Sequence, residues 1–291
     1  MNHSNKRIAI FSHYDKHGLI DNYVLYYLEG LKEVCNDIIF VSDCDIDSEQ
    51  LEKIHGLVLK TIIGRHGEYD FGSYKRGFFA IQDIDKYDEI VFCNDSCYGP
   101  FYDFNEMFDI MTVRNLDFWG ITQNHQGYCA TKNHTHVQSY FLVIKKQVFK
   151  SPVFEDFMFQ IKAETNKINV VINYEIGLTQ SMIKLFRFDS YVPADREVGD
   201  LTISTKWKQI IKNNKCPLAK VKKLKIILLW KNFIHRHTDY PTSLIRKHQK
   251  RIMSKKEKRQ KGFRPIAHPI ASVLNFCHKI LRKTAKIILF R

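Results

Sequence analysis

Ile90-Val91-Phe92-Cys93-Asn94-Asp95-Ser96-Cys97-Tyr98-Gly99-Pro100 is the stretch from which the rest of the chain is read. Four apolar residues predict a strand, a polar trio follows at once, and a Gly-Pro turn closes it. An apolar run without alternation fits a strand covered on both faces, as in a parallel sheet. Ligands of such sheets sit outside the carboxyl ends of the strands. Asp95 is therefore expected at the working edge.

Working outward, the same grammar repeats. Residues 8–11, 38–41 and 58–63 predict strands. Residues 19–34 carry Ile20, Tyr23, Val24, Tyr27, Leu28, Leu31 and Val34 on one helical stripe. Short helices are expected over 48–54 and 72–81. Asp103 and Glu106 stand as an N-cap and its N3 partner for a helix over 104–113. Residues 118–121 and 140–144 predict two strands with no helix between them, so one of the pair is expected to run antiparallel. Ser151-Pro152 starts a helix with a cap and a proline at its first position. A helix over 168–186 and a strand over 188–192 complete the alternation. The expected fold class is α/β, a mostly parallel mixed sheet flanked by helices.

Composition excludes several classes. The 291 residues are 44% hydrophobic, enough for a sizeable core. No apolar run reaches 18 residues, so no membrane span is expected. Only residues 8–11 follow the basic pair Lys6-Arg7, too short a run for a secretory signal. A cytoplasmic location is the expectation. Seven cysteines, without a CxxC pair, argue against a disulfide framework or a structural zinc. Cys93 and Cys97 read as packing thiols. Neither GxGxxG nor a GxxxxGK[ST] loop is present, which argues against dinucleotide-dependent hydride transfer and P-loop hydrolysis; no organic cofactor is expected.

The net charge of +14 is split. Residues 201–291 hold 25 Lys/Arg against 2 Asp/Glu, a balance of +23, and residues 1–200 balance to −9. A basic tail on an acidic body points to a polyanionic partner. Ile270, Val273, Leu274, Cys277, Ile280, Leu281, Ile287 and Ile288 recur at near-helical spacing, with Lys279, Arg282, Lys283 and Lys286 mostly opposite them. This is the pattern of a helix lying on an anionic membrane surface. Residues 246–264 read as a linker. Domains are expected at 1–230 and 231–291, with the tail peripheral on the inner face of the cell membrane. The tail has few interleaved aromatics and no nucleic-acid motif, so nucleic acid is not the expected partner.

Seven ordered blocks carry a family resemblance. They are Ile10-Phe11-Ser12-His13-Tyr14-Asp15, Asp37-Ile38-Ile39-Phe40-Val41-Ser42, Tyr69-Asp70-Phe71-Gly72-Ser73-Tyr74-Lys75 and Asn94-Asp95-Ser96-Cys97-Tyr98-Gly99-Pro100. Asp117-Phe118-Trp119-Gly120-Ile121-Thr122, His136-Val137-Gln138-Ser139-Tyr140-Phe141 and Tyr174-Glu175-Ile176-Gly177-Leu178 follow in order. Over roughly residues 6–230 the chain resembles the rhamnan synthesis protein F family of bacterial surface-polysaccharide assembly. Glu68 replaces the expected glycine before Tyr69, and Cys216-Pro217-Leu218-Ala219-Lys220 departs from the family's Pro-Phe-Ile-Lys run. The resemblance implies a GT-A-like glycosyltransferase using a nucleoside-diphosphate sugar, with dTDP-rhamnose the implied donor and a lipid-linked or polysaccharide acceptor.

Such a reaction needs a base for the acceptor hydroxyl and positive charge or donors on the leaving diphosphate. The resemblance assigns Asp95, within Asn94-Asp95-Ser96, to the diphosphate side, where a Mg or Mn ion could rest on its single carboxylate. A turn-capping Asp95 is the other reading. Glu175 is the candidate base, because a carboxylate on an apolar helix face suits proton abstraction; a salt-bridged helix residue is the alternative. Ser12, His13, Asp70, Ser73 and Lys75 are candidate donor-side residues. Trp119, His136 and Gln138 are candidate acceptor contacts, although an aromatic beside a strand, as Trp119 is, more often belongs to the core. His125, His134 and His136 lack spacing that argues for a metal. Two other functions stay open: a non-catalytic sugar-binding member of the fold, and a nucleic-acid binder acting through the tail.

Overall fold

A computed structural model describes residues 5–125, 134–194, 206–226 and 230–253. The chain divides into two units, Met1–His248 and Gln249–Arg291. The first holds every strand among the described residues.

β1 (Arg7–His13), α1 (Asn22–Lys32), β2 (Asp37–Ser42), α2 (Ser48–Glu52), β3 (Lys60–Ile63), α3 (Tyr69–Phe79) and β4 (Glu89–Asn94) alternate as the apolar runs predict. Then come β5 (Cys97–Tyr98), α4 (Phe104–Thr112), β6 (Phe118–Gly120), β7 (Gln123–Asn124), β8 (His136–Val137), β9 (Phe141–Lys145), α5 (Lys146–Phe149) and α6 (Pro152–Gln160). The remainder is α7 (Lys167–Val170), α8 (Gly177–Met182), β10 (Phe188–Ser190), α9 (Trp207–Asn213), β11 (Ala219–Lys220), α10 (Val221–Ile226), α11 (Trp230–His237) and α12 (Thr242–Ile252).

Seven strands form one sheet in the order β10-β6-β9-β4-β1-β2-β3. All are parallel except β9, which runs against both β4 and β6. The mostly parallel α/β class is as expected, and so is the single reversal. Among the described residues between β6 and β9 there is only the β7–β8 ribbon, without the crossover helix a parallel return requires. The reversal has a consequence for the site. The start of β9 lies at the same edge as the ends of β1, β2, β4 and β6, so residues 138–140 join the crevice.

Strand residues alternate between two packed faces, which is why the apolar runs are continuous. Ala9, Phe11, Val91 and Cys93 face α1 and α4, against Tyr27, Leu28 and Phe104. Ile8, Ile10, Ile90 and Phe92 face α3 and α6, against Phe71, Tyr74, Phe78 and Phe154. Gly77 lets α3 close on the sheet: a Cβ there would stand 2.3 Å from Ile10 Cγ2.

Two local expectations change. Asp103 does cap α4, accepting from Asn105 N–H at 2.8 Å, but Glu106 pairs with Lys215 instead of closing a capping box. Ser151 Oγ caps α6 as read. The single helix over 168–186 is α7 and α8 joined by a widened, π-type stretch over Val171–Ile176. One inserted residue per turn is invisible to a 3.6-residue periodicity, and such insertions recur at functional sites. Glu175 sits within it.

Candidate active site

The carboxyl edge collects acids from distant parts of the chain around Asp70. Asp70 opens α3, just after β3. Its two oxygens are held separately: Ser12 Oγ, from β1, donates to Oδ1 at 3.2 Å, and Asn94 Nδ2, from β4, donates to Oδ2 at 3.0 Å. Because β1 and β4 are neighbours in register, Ser12 lies opposite Asn94. One carboxylate thus ties two strand ends to a helix start.

Asp95 follows β4. Its N–H reaches Ser12 O at 3.2 Å, and its Oδ2 accepts from Tyr14 N–H at 2.9 Å. His13 Nε2 lies 3.9 Å from the same oxygen, and His13 Nδ1 is held by Ser42 Oγ at 3.0 Å. Oδ1 takes no hydrogen bond from a described residue. The side chain is 16% exposed. Desolvation pushes this carboxyl up to about 8; the Tyr14 N–H works against that, while Asp70, Asp15 and Asp21 add to it. Asp70 is also pushed up, chiefly by desolvation, with Lys220, Lys167 and Ser12 pulling it back and Glu175 adding to the rise.

Glu175 is half-buried between the buried Tyr174 and Ile176. Its Oε1 accepts from Ser139 N–H at 2.9 Å and Ser139 Oγ at 3.0 Å. Ser139 O in turn accepts from Tyr74 Oη at 2.9 Å. Glu175 is thus a hydrogen-bonded carboxylate at the start of β9, rather than one in an apolar pocket. The second oxygen, Oε2, takes no hydrogen bond from a described residue.

One cation near Asp70, Lys220, comes from a segment whose sequence departs from the family run. β11 pairs antiparallel with β5, setting Lys220 opposite Cys97. Lys220 Nζ donates to Ser96 Oγ at 3.0 Å and stands 4.2 Å from the centre of the Tyr140 ring. Ser96 Oγ donates to Asn94 Oδ1 at 2.5 Å. Gly99 makes the approach possible. Its φ is +146°, and a Cβ there would lie 2.3 Å from Pro217 O.

Ser12, His13, Asp70, Asn94, Asp95, Ser96 and Glu175 are therefore gathered at the carboxyl edge of the sheet, around Asp70. Ser73 and Lys75 are not. Ser73 is fully buried, with its Oγ on His66 Nε2 at 3.1 Å. Lys75 Nζ is bound to Phe159 O and Ile161 O, both at 2.7 Å, on the far side of α3. Among the acceptor candidates, Trp119 is 1% exposed and packs on Phe108 and Phe141, so it is core. His136 and Gln138 are also buried; Gln138 Oε1 accepts from Thr122 Oγ1 and His136 Nδ1 meets His134 O. Burial leaves none of the three a face to offer a sugar. Cys93 and Cys97 are buried thiols as read. Sequence reading missed Lys220, Ser139 and Lys167. Lys220 had a signal, a lysine ending an apolar Pro-Leu-Ala run, but nothing local to say which strand it joins.

Among the described residues no group of three His, Cys, Asp or Glu could hold a metal by itself. The donor set nevertheless suits a divalent cation. Acids that raise one another's proton affinity are relieved by any added positive charge, and Asp95 has an oxygen uncommitted. A single carboxylate completed by phosphate and water is an ordinary arrangement for magnesium.

The sequence profile of the family described as rhamnan synthesis protein F matches residues 38–288. The chain belongs to the rhamnan synthesis protein F family. The match moves both limits set from the quoted blocks, roughly 6–230: it begins at residue 38, after the Ile10–Asp15 block, and runs through most of the basic tail. A curated relative, the uncharacterized protein y4gN of Sinorhizobium fredii, is 29% identical over 179 residues, covering 60% of this chain and 45% of that protein. This chain thus spans less than half of that relative's length. Similar solved structures include a protein described as a nucleotide-diphospho-sugar transferase from Desulfovibrio desulfuricans G20 (16% identity, 84% of this chain and 98% of that one, TM-score 0.42). Core-mannan synthase A of Aspergillus fumigatus, in its Mn/GDP form, is another (10% identity, 67% and 74% coverage, TM-score 0.37).

Proposed function

We propose that this rhamnan synthesis protein F family member is a glycosyltransferase that moves a sugar, rhamnose on the family's name, from a nucleoside-diphosphate donor to a growing bacterial surface polysaccharide. The observation that carries the reading is the convergence of Asp95, Asp70, Glu175 and Lys220 from four separated segments on the carboxyl edge of the sheet. A merely structural acid would be paired off. Here Asp95 and Glu175 each keep an oxygen without a described partner, and Lys220 leans on a serine of the Asp95 turn.

In this scheme the acceptor hydroxyl oxygen attacks the anomeric carbon. The bond from that carbon to the diphosphate oxygen breaks, and its electron pair leaves with the nucleoside diphosphate. Glu175 takes the hydroxyl proton, its other oxygen fixed by Ser139. One displacement inverts the anomeric centre. Lys220 stabilises the departing diphosphate, and Ser96, whose hydroxyl proton is given to Asn94, holds the Lys220 ammonium in place. Asp95 would hold a divalent cation, which would supply further positive charge against the phosphates. Asp70 orders the three segments and could accept from a ribose or base.

The direct test is a panel of nucleotide sugars, dTDP-rhamnose among them, assayed for thermal protection with and without Mg²⁺ or Mn²⁺. A donor at one hundred times its Kd adds about 2.7 kcal/mol. One sugar nucleotide should protect, and more strongly with metal; protection by none sinks the reading. Lys220→Ala should cost about 10²-fold in kcat/KM for that donor, the usual cost of losing one group that stabilises developing negative charge.

The tail residues 270–291 lie outside the described residues, and no helix among those described is long and apolar enough to cross a membrane. Their basic, amphipathic pattern supports docking on an anionic leaflet beside a lipid-linked acceptor. The full chain should float with anionic liposomes and a chain cut after residue 253 should not. Equal flotation of the two rejects the docking.

A further inference from the structure

Behind the Asn94–Tyr98 turn lies a buried polar cluster that the reaction scheme does not use. His248, from α12, is 7% exposed. Its Nδ1 lies 2.8 Å from Tyr98 Oη. Its ring sits against Tyr23 with centroids 4.6 Å apart, and Nε2 is 3.7 Å from Asp21 Oδ2. Tyr23 and Tyr98 meet edge to face at 5.0 Å. The chain of contacts ends in the site itself: Tyr23 Oη donates to the backbone carbonyl of Asp95 at 2.9 Å.

His248 therefore reaches the donor turn twice, at Tyr98 directly and at the Asp95 carbonyl through Tyr23. The position is 150 residues from Tyr98 in sequence. A buried imidazole needs partners to offset its desolvation, and packing alone would be served as well by an apolar ring. With an Nε2–H toward the Asp21 carboxylate, Nδ1 is left to accept from Tyr98. That fixes the tyrosine's rotamer and, with it, the strand end that carries Asn94, Asp95 and Ser96. β11 braces the same turn on its other edge, where Lys220 is delivered. Two late segments of the chain thus grip one early turn.

We propose that His248 is a positioning residue of the donor site, holding the Asn94–Tyr98 turn in the orientation that receives the diphosphate. The proposal rests on the glycosyltransferase reading for its consequence in turnover, but not for its structural content. Misplacing a site by about 1 Å can cost about 10²-fold, so a loosened turn should be felt in donor KM before it is felt in stability.

The test uses the full chain with His248→Phe, His248→Asn and Tyr98→Phe. Phe keeps the ring and removes the hydrogen bond; Asn keeps an amide oxygen near the place of Nδ1. Hydrogen exchange should rise about tenfold over residues 94–98 in His248→Phe and in Tyr98→Phe, with β1 and β2 unchanged, because only the local opening equilibrium is shifted. The donor KM should rise by a similar factor with kcat within twofold of wild type, and His248→Asn should recover both. Unchanged exchange over 94–98 overturns the proposal, as does exchange raised throughout the sheet, or a His248→Asn no better than His248→Phe. Should wild-type chain bind no nucleotide sugar, the functional reading fails while the exchange result still decides the role of His248.

Discussion

Glu175→Gln should abolish turnover, by about 10³-fold in kcat, while leaving donor binding within a factor of two of wild type; general base catalysis is commonly worth about 10²–10⁴. The substitution is close to silent structurally. A glutamine oxygen at the position of Oε1 still accepts from Ser139 N–H and Oγ, so the link between the π-type stretch and the start of β9 survives. What is lost is the capacity of the second oxygen to take a proton. The measurement is single-turnover transfer with saturating donor, alongside thermal protection by the same donor. A variant that keeps turnover removes Glu175 from the reaction. One that loses donor protection as well indicates that the residue serves binding, and the single-displacement scheme must find its base elsewhere. A wild type that binds donor but transfers to no acceptor would favour the non-catalytic reading.

How much of this was legible in the sequence differs residue by residue, for physical reasons. The strand at Ile90–Cys93 announces itself because a parallel strand buried on both faces needs unbroken apolar residues, and Asp103 and Ser151 announce helix starts because orphan N–H groups need oxygen partners. Asp95 was legible as a working-edge residue from topology alone. Lys220 and His248 were not. Each reaches the site by tertiary pairing, through β11 on β5 and α12 on Tyr98, and strand pairing between segments over 120 residues apart leaves no local pattern. The setting of Glu175 was hidden for another reason: the inserted residue of the π-type stretch changes which side chains share a face, so a regular helical wheel put it against apolar neighbours. Of the two readings of Trp119, the core one holds. It lies in a motif block beside functional residues, yet strand alternation turns it into the α4 face, where Phe108 and Phe141 enclose it. Lys75 shows the same limit on a helix, since its charge in a motif said nothing of the direction in which α3 presents it.

Asp95→Asn should make the free protein more stable while destroying its metal-dependent donor binding. In the unfolded chain an aspartate releases its proton near 3.8, whereas burial raises the folded carboxyl to about 8. Between those values the folded state binds more protons than the unfolded one. Stability from this group therefore falls as pH rises across that window, and it is least penalised below 3.8. At pH 7 the upper bound on the penalty is about 4 kcal/mol, since each pH unit inside the window is worth about 1.4 kcal/mol. Asparagine removes the proton requirement and retains an oxygen for Tyr14 N–H, so a net gain of about 2 kcal/mol is expected, which in a chain of this size is about 5 °C in Tm. The gain should shrink as pH is lowered toward 4, and a pH series of melting curves reads it directly. Divalent cation should act in the opposite sense on the two proteins. It displaces the proton from wild-type Asp95, so metal-dependent donor protection strengthens as pH rises toward 8 and is absent in the variant. If Asp95→Asn is less stable than wild type at pH 7, the carboxyl is ionised and satisfied in the free protein, and its role is that of a turn cap. If the variant is stabilised yet keeps full metal-dependent donor protection, the cation rests elsewhere and Asp95 is not its seat. Stabilisation with loss of metal-dependent donor protection is the pattern expected of an acid kept under strain for its ligand, since a residue retained for folding alone would lower stability when replaced.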